Sequence, residues 1–489
     1  MATLKQQLIT SKENSNFHYL NTGSGKPIKF IGNAYIKDGF EETCLQQAAN
    51  TNNAPGVEEV VVNPDAHSGY GAPVGCVVKT SDYIYPGPVG YDIKCSMSHL
   101  QLDLPEEEIQ DKRVRRSLIN AIEKRIPTGI GKGQRSVPKS RHMTVELGWH
   151  SVLFGAEEIL CNELGIPSNW PCRCEDASHG NTWLEMENTI NRLEHAFRDK
   201  LISKFDQLGS YGGGNHFLSC DITRINPEQV NIAEKFGLRN GCVSVLSHCG
   251  SRGFGHLLAS DQFSSLEKFF TKWNIPYPGG DKQLVYAPLD SLEGEDYLNC
   301  MYMGANFATV NHLLINTLIL EAFKEVFPGV KGDLVYFISH NIAREEIIDG
   351  KKCWIHRKGA TRAYPAEHFS LKNTPFYETG HPILLPGNVT DGSVIMVANE
   401  GAKNSLYSVN HGAGRQMGRK QAYRELNQSE INKQIDESGI ITNCRNYPMD
   451  ESKGVYKDFN QVIDSVSKAG LATTVAKLEP RFVLKDEDK

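Results

Sequence analysis

The chain has 489 residues, 39% of them apolar and 22% charged, which is ordinary globular usage and excludes a mostly disordered polymer. Its 52 Lys and Arg against 58 Asp and Glu leave a net charge of −6. A generally basic coat for nucleic acid is thereby excluded, and any polyanion must meet a local patch.

The N-terminal MATLKQQLITSKENSNFHY lacks the apolar stretch of a signal peptide. No run of about 18 apolar residues follows, so no spanning helix and no membrane partner are expected. GSGKP (23–27) resembles a phosphate loop, but Leu20 and Pro27 stand where that motif needs Gly and Ser or Thr. VEEVVV (57–62) reads as a strand leading into NPDAHSGYGAPVG. IKCSMSHLQLDL (93–104) reads as another, after GPVGYD. Residues 106–126 have helical spacing, and 150–180 look like a surface insertion. A helix follows over 186–205, then a strand, VSVL (243–246), leading into SHCGSRGFGH. Residues 296–327 predict a long helix, apolar on several faces and therefore buried. DLVYFIS (333–339), VIMVAN (394–399) and TTVAKL (473–478) are further strands, and the terminal DEDK is a solvated charge run. Strands and helices alternate without a regular βαβ rhythm, so the expected class is α+β, a single large domain over 1–489 with mixed sheets surrounded by helices. The 12 cysteines, scattered from Cys44 to Cys444, fit a reducing cytoplasm better than a disulfide framework.

Five of the 16 histidines sit in Gly-rich turns that end strands. The contexts are PDAHSGYG (64–71), GGGNHF (212–217), SHCGSRG (247–253), ISHNIA (338–343) and NHGAGR (410–415). Strand-end loops on a fixed scaffold are where catalytic groups are presented, and glycine lets backbone approach a ligand. GYDIKCS (90–96) adds a carboxylate and a thiol. Asp92 and Cys95 are an odd number of residues apart, so a straight strand would point them to opposite faces. Both reach one metal only if the backbone turns between them, and Gly90 and Lys94 permit that. Asp92, Cys95, His216, His248 and His340 then form a donor set for borderline divalent cations, enough for two adjacent ions holding a phosphate. On the anion side, HGAGR precedes a helix-like stretch, so its small residues would expose N–H donors to phosphate at a helix start. HRKGATRAYP (356–365), with Arg252, is a candidate basic patch.

Taken together and in order, these segments resemble the RtcB family of GTP-dependent RNA ligases. The likeness covers about residues 30–485. It rests on PDAHSGYGAPVG, GYDIKC, PTGIG, GGGNHF, HCGSRG, SHNIA, HRKGATRA, LPGN, HGAGR, YKD and VAKLEP. The resemblance implies an enzyme that joins RNA 3′-phosphate or 2′,3′-cyclic phosphate ends to 5′-hydroxyl ends. It implies a histidine–GMP intermediate at His411, two Mn²⁺ ions on the five ligands above, and GTP as co-substrate. Asn215, Pro386, Gly387, Asn388, Ser393, Ala413, Gly414, Tyr456 and Lys485 match nucleotide-binding positions. Asp65, His67, Arg252, Lys358 and Arg415 are candidates for RNA or phosphate. A small archease-like activator is a possible partner in this family. Two departures stand out: Ser219 replaces a Glu that reads the guanine edge, and Ser96 replaces a Gly, where it is expected to crowd the bend beside Cys95. These leave two other readings: a metal-dependent RNA cyclic phosphodiesterase that does not ligate, and a non-catalytic RNA-binding subunit.

Overall fold

The computed structural model describes residues 3–23, 25–180 and 183–487, with side chains omitted over 183–185. Position 24 of the GSGKP turn and the last two residues of the acidic tail lie outside the described residues. Within that tail, Glu487 accepts from the backbone N–H groups of Arg445 and Asn446.

Two curled sheets carry the fold, as the α+β expectation required. One runs in the order Ile9–Thr10, Phe17–Leu20, Ile28–Ile31, Val57–His67, Val74–Thr80, Lys351–Lys358, Asn341–Ile348. The other runs Gly332–Ser339, Ser96–Pro105, Cys242–Cys249, Phe217–Ile225, Ala472–Lys485, Gly392–Ala398, Pro382–Asn388, with Ile441–Thr442 alongside the long Ala472–Lys485 strand. Alternation along the strands sorts their side chains between two cores. Leu218, Cys220, Ile222, Val243 and Val245 face the helices. Ile383, Leu385, Val394 and Met396 instead meet Val61, Val77 and Ile355 of the first sheet.

The predicted buried helix spans Leu292–Val326, 35 residues and so about 50 Å long. It carries a buried polar stripe that includes Asn306, Thr309, Asn311, His312 and Asn316. The helix predicted over 186–205 is observed as Trp183–Phe205. That predicted over 106–126 shortens to a 3₁₀ turn and Lys112–Glu123, whose start is capped by the Asp111 side chain.

Within 150–180, Val152, Leu160, Cys161 and Trp170 join the largest hydrophobic cluster, while Phe154, Ile159 and Cys172 are exposed. Two expectations are corrected. HGAGR is not a helix start: it is a turn after Ser408–Asn410, and the seven-residue helix begins only at Arg419. HRKGATRA is not a surface patch either. Arg357 is sealed inside against Glu346, His356 donates to or accepts from backbone at Tyr85 and Val78, and Arg362 pairs with Glu175.

Candidate active site

Strand ends of both sheets converge on one side of the molecule. His67, Ser96, Phe217, Cys249, Asn341, Lys358, Asn388, Asn410 and Lys485 are all first or last residues of strands.

The turn needed between Asp92 and Cys95 is present. The Cys95 N–H donates to the Asp92 carbonyl at 3.1 Å, and Lys94 takes a left-handed φ of 52°. Lys94 is pinned in that conformation: its backbone N–H donates to Asn341 O at 2.7 Å, and its Nζ reaches Asp176 O, His179 and Thr309. Ser96 does not crowd the bend. It already lies in the strand, with no glycine-like φ, and its Oγ donates back to Lys94 O at 2.6 Å. Opposite, Gly250 is required because a Cβ there would sit 2.3 Å from Asp92 Oδ1.

The five predicted ligands form a chain of contacts. His216 Nε2 lies 2.9 Å from Asp92 Oδ2 and 3.5 Å from Cys95 Sγ. Cys95 Sγ lies 3.2 Å from His248 Nε2, which is 3.3 Å from His340 Nε2. Cys95, His216 and His248 can each point one donor atom to within 4.8 Å of the others. Burial and neighbouring imidazoles push His248 and His340 well below the usual histidine range, so both are neutral and keep a lone pair. Burial raises Asp92, but the His216 imidazole outweighs it and holds the carboxyl at about 2. Burial pushes the Cys95 thiol well up, so a thiolate there needs a cation. His216 goes the other way: burial lowers it, but the Cys249 sulfur and Asp92 push it up to about 9, so it must shed a proton to bind a cation. Two neutral imidazoles, a third that can be deprotonated, a carboxylate and a thiol suit a borderline divalent metal.

His411 stands beside this chain, its ring centroid 4.6 Å from that of His340. Its Nδ1 lies 2.7 Å from Asp65 Oδ2 and 2.9 Å from Gly359 O. Both partners are acceptors, so Nδ1 carries the hydrogen and Nε2 is left with the lone pair. Asp65 is fully buried and serves His411; this corrects its reading as a phosphate contact, since an internal carboxylate would repel one. Lys457, next to Tyr456, supports it by donating to the carbonyls of Pro64 and Ala66. Gly414 is forced by geometry: its φ is +74° and a Cβ would meet Asp65 O at 2.0 Å.

An open cavity of about 1080 Å³ is lined by His67, Asp92, Cys95, Asn215, His248, His340, His411, Ala413, Gly414 and Arg415. Arg415 pairs with Glu451 at 3.1 Å and keeps one buried NH2 without a partner. Two cations of the predicted phosphate set already hold backbone or side-chain oxygens of the protein. Lys358 Nζ gives its three hydrogens to the carbonyls of Tyr70, Ala72 and Gly87. Arg252 is buried on Ser210 Oγ and the carbonyls of Gly129 and Lys132, behind the His216 ring. Arg419 lines the cavity, is half exposed and pairs with Asp450 at 3.1 Å.

A second, narrower slot shares Phe217, Pro386, Gly387 and Tyr456 with the cavity. Asn388, Ser393 and Lys485 line it, with Val389, Tyr447, Val483, Ser219 and Glu451. Glu451 was missed by sequence reading. It takes Tyr456 Oη at 2.6 Å and Lys485 Nζ at 3.1 Å, and the DE pair at 450–451 gives no hint of that burial.

Five donors and an imidazole gathered beside a cleft from strands far apart in sequence are the mark of an enzyme. The family model described as tRNA-splicing ligase RtcB matches residues 47–486. The tRNA-splicing ligase RtcB of Thermococcus kodakarensis is 33% identical, over 94% of this chain and 95% of its own. That of Aeropyrum pernix is 34% identical over 94% of each chain. The RNA-splicing ligase RtcB homolog 1 of Entamoeba dispar is 33% identical, over 94% of this chain and 83% of its own. The chain belongs to the RtcB family of RNA ligases. No helix among the described residues is long and apolar enough to cross a membrane.

Proposed function

We propose that the chain seals RNA, joining 3′-phosphate or 2′,3′-cyclic phosphate ends to 5′-hydroxyl ends through a guanylate carried on His411. The observation that carries this reading is the tethering of His411 Nδ1 by Asp65 and Gly359, which turns a basic Nε2 to the cavity. A neutral imidazole is a competent nucleophile near pH 7. Nε2 attacks the α-phosphorus of GTP. A P–N bond forms, the bond from the α-phosphorus to the bridging oxygen breaks, and pyrophosphate leaves. Asp65 stabilises the positive charge that develops on the ring. The slot takes the nucleoside, fixing the α-phosphorus against Nε2. Where the RNA end is a 2′,3′-cyclic phosphate, water first attacks its phosphorus and the 2′-oxygen leaves as a hydroxyl, giving a 3′-phosphate. An oxygen of the RNA 3′-phosphate then displaces His411 from the guanylate, restoring the free imidazole. Finally the 5′-hydroxyl attacks the activated 3′-phosphorus and GMP departs; Arg415, with its unpartnered NH2, and Arg419 are the cations placed to hold these phosphates.

Asp92, Cys95, His216, His248 and His340 would hold two Mn²⁺ ions, which when bound supply charge neutralisation at the phosphates and lower the pKa of the attacking hydroxyl. The donor set fits such ions: His248 and His340 are neutral, His216 would give up a proton to the ion it binds, and the five donor atoms lie in one contact chain.

The test is sealing of an RNA pair, one strand ending in 3′-phosphate and the other beginning with 5′-hydroxyl, with Mn²⁺ and GTP. Wild type is expected to join them and His411→Ala to fail. Sealing by His411→Ala contradicts the proposal.

A further inference from the structure

Lysine is an unexpected residue for the turn beside Cys95. Lys94 has a φ of 52°, a conformation that strains any ordinary side chain, and it is wholly buried. Such strain persists only where the surroundings over-determine it. Here the surroundings form a cage around Nζ. Asp176 O lies 3.0 Å away, His179 Nε2 2.8 Å and Thr309 Oγ1 2.6 Å. Three polar partners are as many as a lysine nitrogen can engage.

Each wall of the cage is itself fixed. Thr309 gives its own hydrogen to Ala305 O, so its lone pairs are left for Lys94. The backbone of His179 is tied in both directions to the Asn306 side chain, and its ring stacks on Tyr302. The Asp176 carboxylate is held by Arg344 and Arg362. From this rigid cage the lysine stem runs back to the cation site. Cys95, the next residue, lines the cavity, and its carbonyl accepts from the His340 N–H at 2.9 Å. Glu175, just before the cage, steadies a second donor: its Oε2 accepts from the N–H of Ser339, next to His340, at 3.0 Å. Lys94 itself lines neither the cavity nor the slot.

We propose that Lys94 is a positioning residue for the cation site: its side chain, locked into the cage of Asp176, His179 and Thr309, holds the left-handed turn that sets the Cys95 sulfur against His216 and His248. This role presupposes that the five donors bind cations, as proposed above.

The experiment is titration of the full chain with Co²⁺, whose bond to a thiolate gives a near-ultraviolet charge-transfer band and so reports on Cys95. Lys94→Met keeps the bulk of the side chain but cannot bond to the cage. It is expected to weaken Co²⁺ binding by about 10- to 100-fold, as for other groups that orient a metal ligand, and to diminish the band at saturating Co²⁺. His179→Ala weakens binding as well, and has no further effect in Lys94→Met. Lys94→Gly also loses the cage, but it takes the left-handed φ without strain. It is expected to bind Co²⁺ about five- to thirtyfold more tightly than Lys94→Met, the cost of that φ to a side chain. A role in packing alone gives the opposite order, because Gly leaves the larger void. Wild-type affinity and band in Lys94→Met overturn the inference, as does weaker binding by Lys94→Gly than by Lys94→Met. If Lys94→Met does not fold, His179→Ala decides: wild-type affinity and band there overturn it. A different failure is a wild-type chain with no thiolate band, or a band that survives Cys95→Ala. That result refutes the cation-site reading, and the role of Lys94 falls with it.

Discussion

Asp65 and His411 are 346 positions apart in sequence and meet through one hydrogen bond. The bond selects the tautomer that leaves Nε2 basic. Asp65→Asn can present an N–H to the imidazole instead and favour the wrong tautomer. It is expected to slow guanylate transfer to His411 by on the order of 10²–10⁴, the loss seen when an Asp–His pair is so altered in acyl transfer, with cation binding unchanged. A transfer rate within tenfold of wild type would show that Asp65 does not orient the ring. Motif order pointed to His411 and to all five donors. It did not reveal the duties of Asp65, Arg252 and Lys358. A charged side chain beside a glycine turn reads as a ligand for phosphate, and only burial shows that backbone or another side chain already uses it.

At the scale of elements, the turn at Asp92–Cys95 was legible from its odd spacing, and the long helix from its apolar run. The purpose of that helix was not. Asn306, Thr309, Asn311 and His312 read as interruptions of a hydrophobic stretch, yet they anchor the site. Thr309 accepts from Lys94 at 2.6 Å, and His312 lies 3.0 Å from Cys249 O. Asn311 accepts from the backbone of Gly209 at 2.8 Å and donates to Gly250 O at 3.1 Å. Asn311→Ala strands these buried backbone groups and is expected to destabilise the fold by about 1–3 kcal/mol, read by denaturant unfolding, and to weaken Mn²⁺ binding as the 249–251 turn loosens. Unchanged stability and unchanged Mn²⁺ affinity would remove the helix from the site's support.

Across the whole molecule, what could not be read from the chain was pairing order. Ala472–Lys485 lies between Phe217–Ile225 and Gly392–Ala398, and such long-range pairings leave no local mark. The packing of 150–180 was equally unreadable: its helix Val145–Phe154 lies against Leu292–Val326, and Pro171–Arg173 against the strand Gly332–Ser339 at the edge of the sheet. Behind that sheet Glu175 meets Arg344 and Arg362 with almost no exposure. Burial alone would raise its carboxyl, but the two guanidiniums and Ser339 hold it far below its ordinary 4.5. Its folded value is the lower one, so its stabilisation is complete above about pH 4.5 and is lost as pH falls below that. Glu175→Gln is expected to lower the stability by about 3–5 kcal/mol at pH 7, as for breaking a buried pair, with a gap in melting temperature that narrows steadily from pH 5 to pH 3. A gap that stays constant with pH would contradict the ion pair. The claim on which the rest depends is that one imidazole, His411, carries the nucleotide. The direct measurement is mass spectrometry of peptides from protein incubated with GTP and Mn²⁺ and digested without acid, since a phosphoramidate is acid-labile. A single guanylate on His411 is the predicted result; guanylate on another residue, with His411 unmodified, would contradict it.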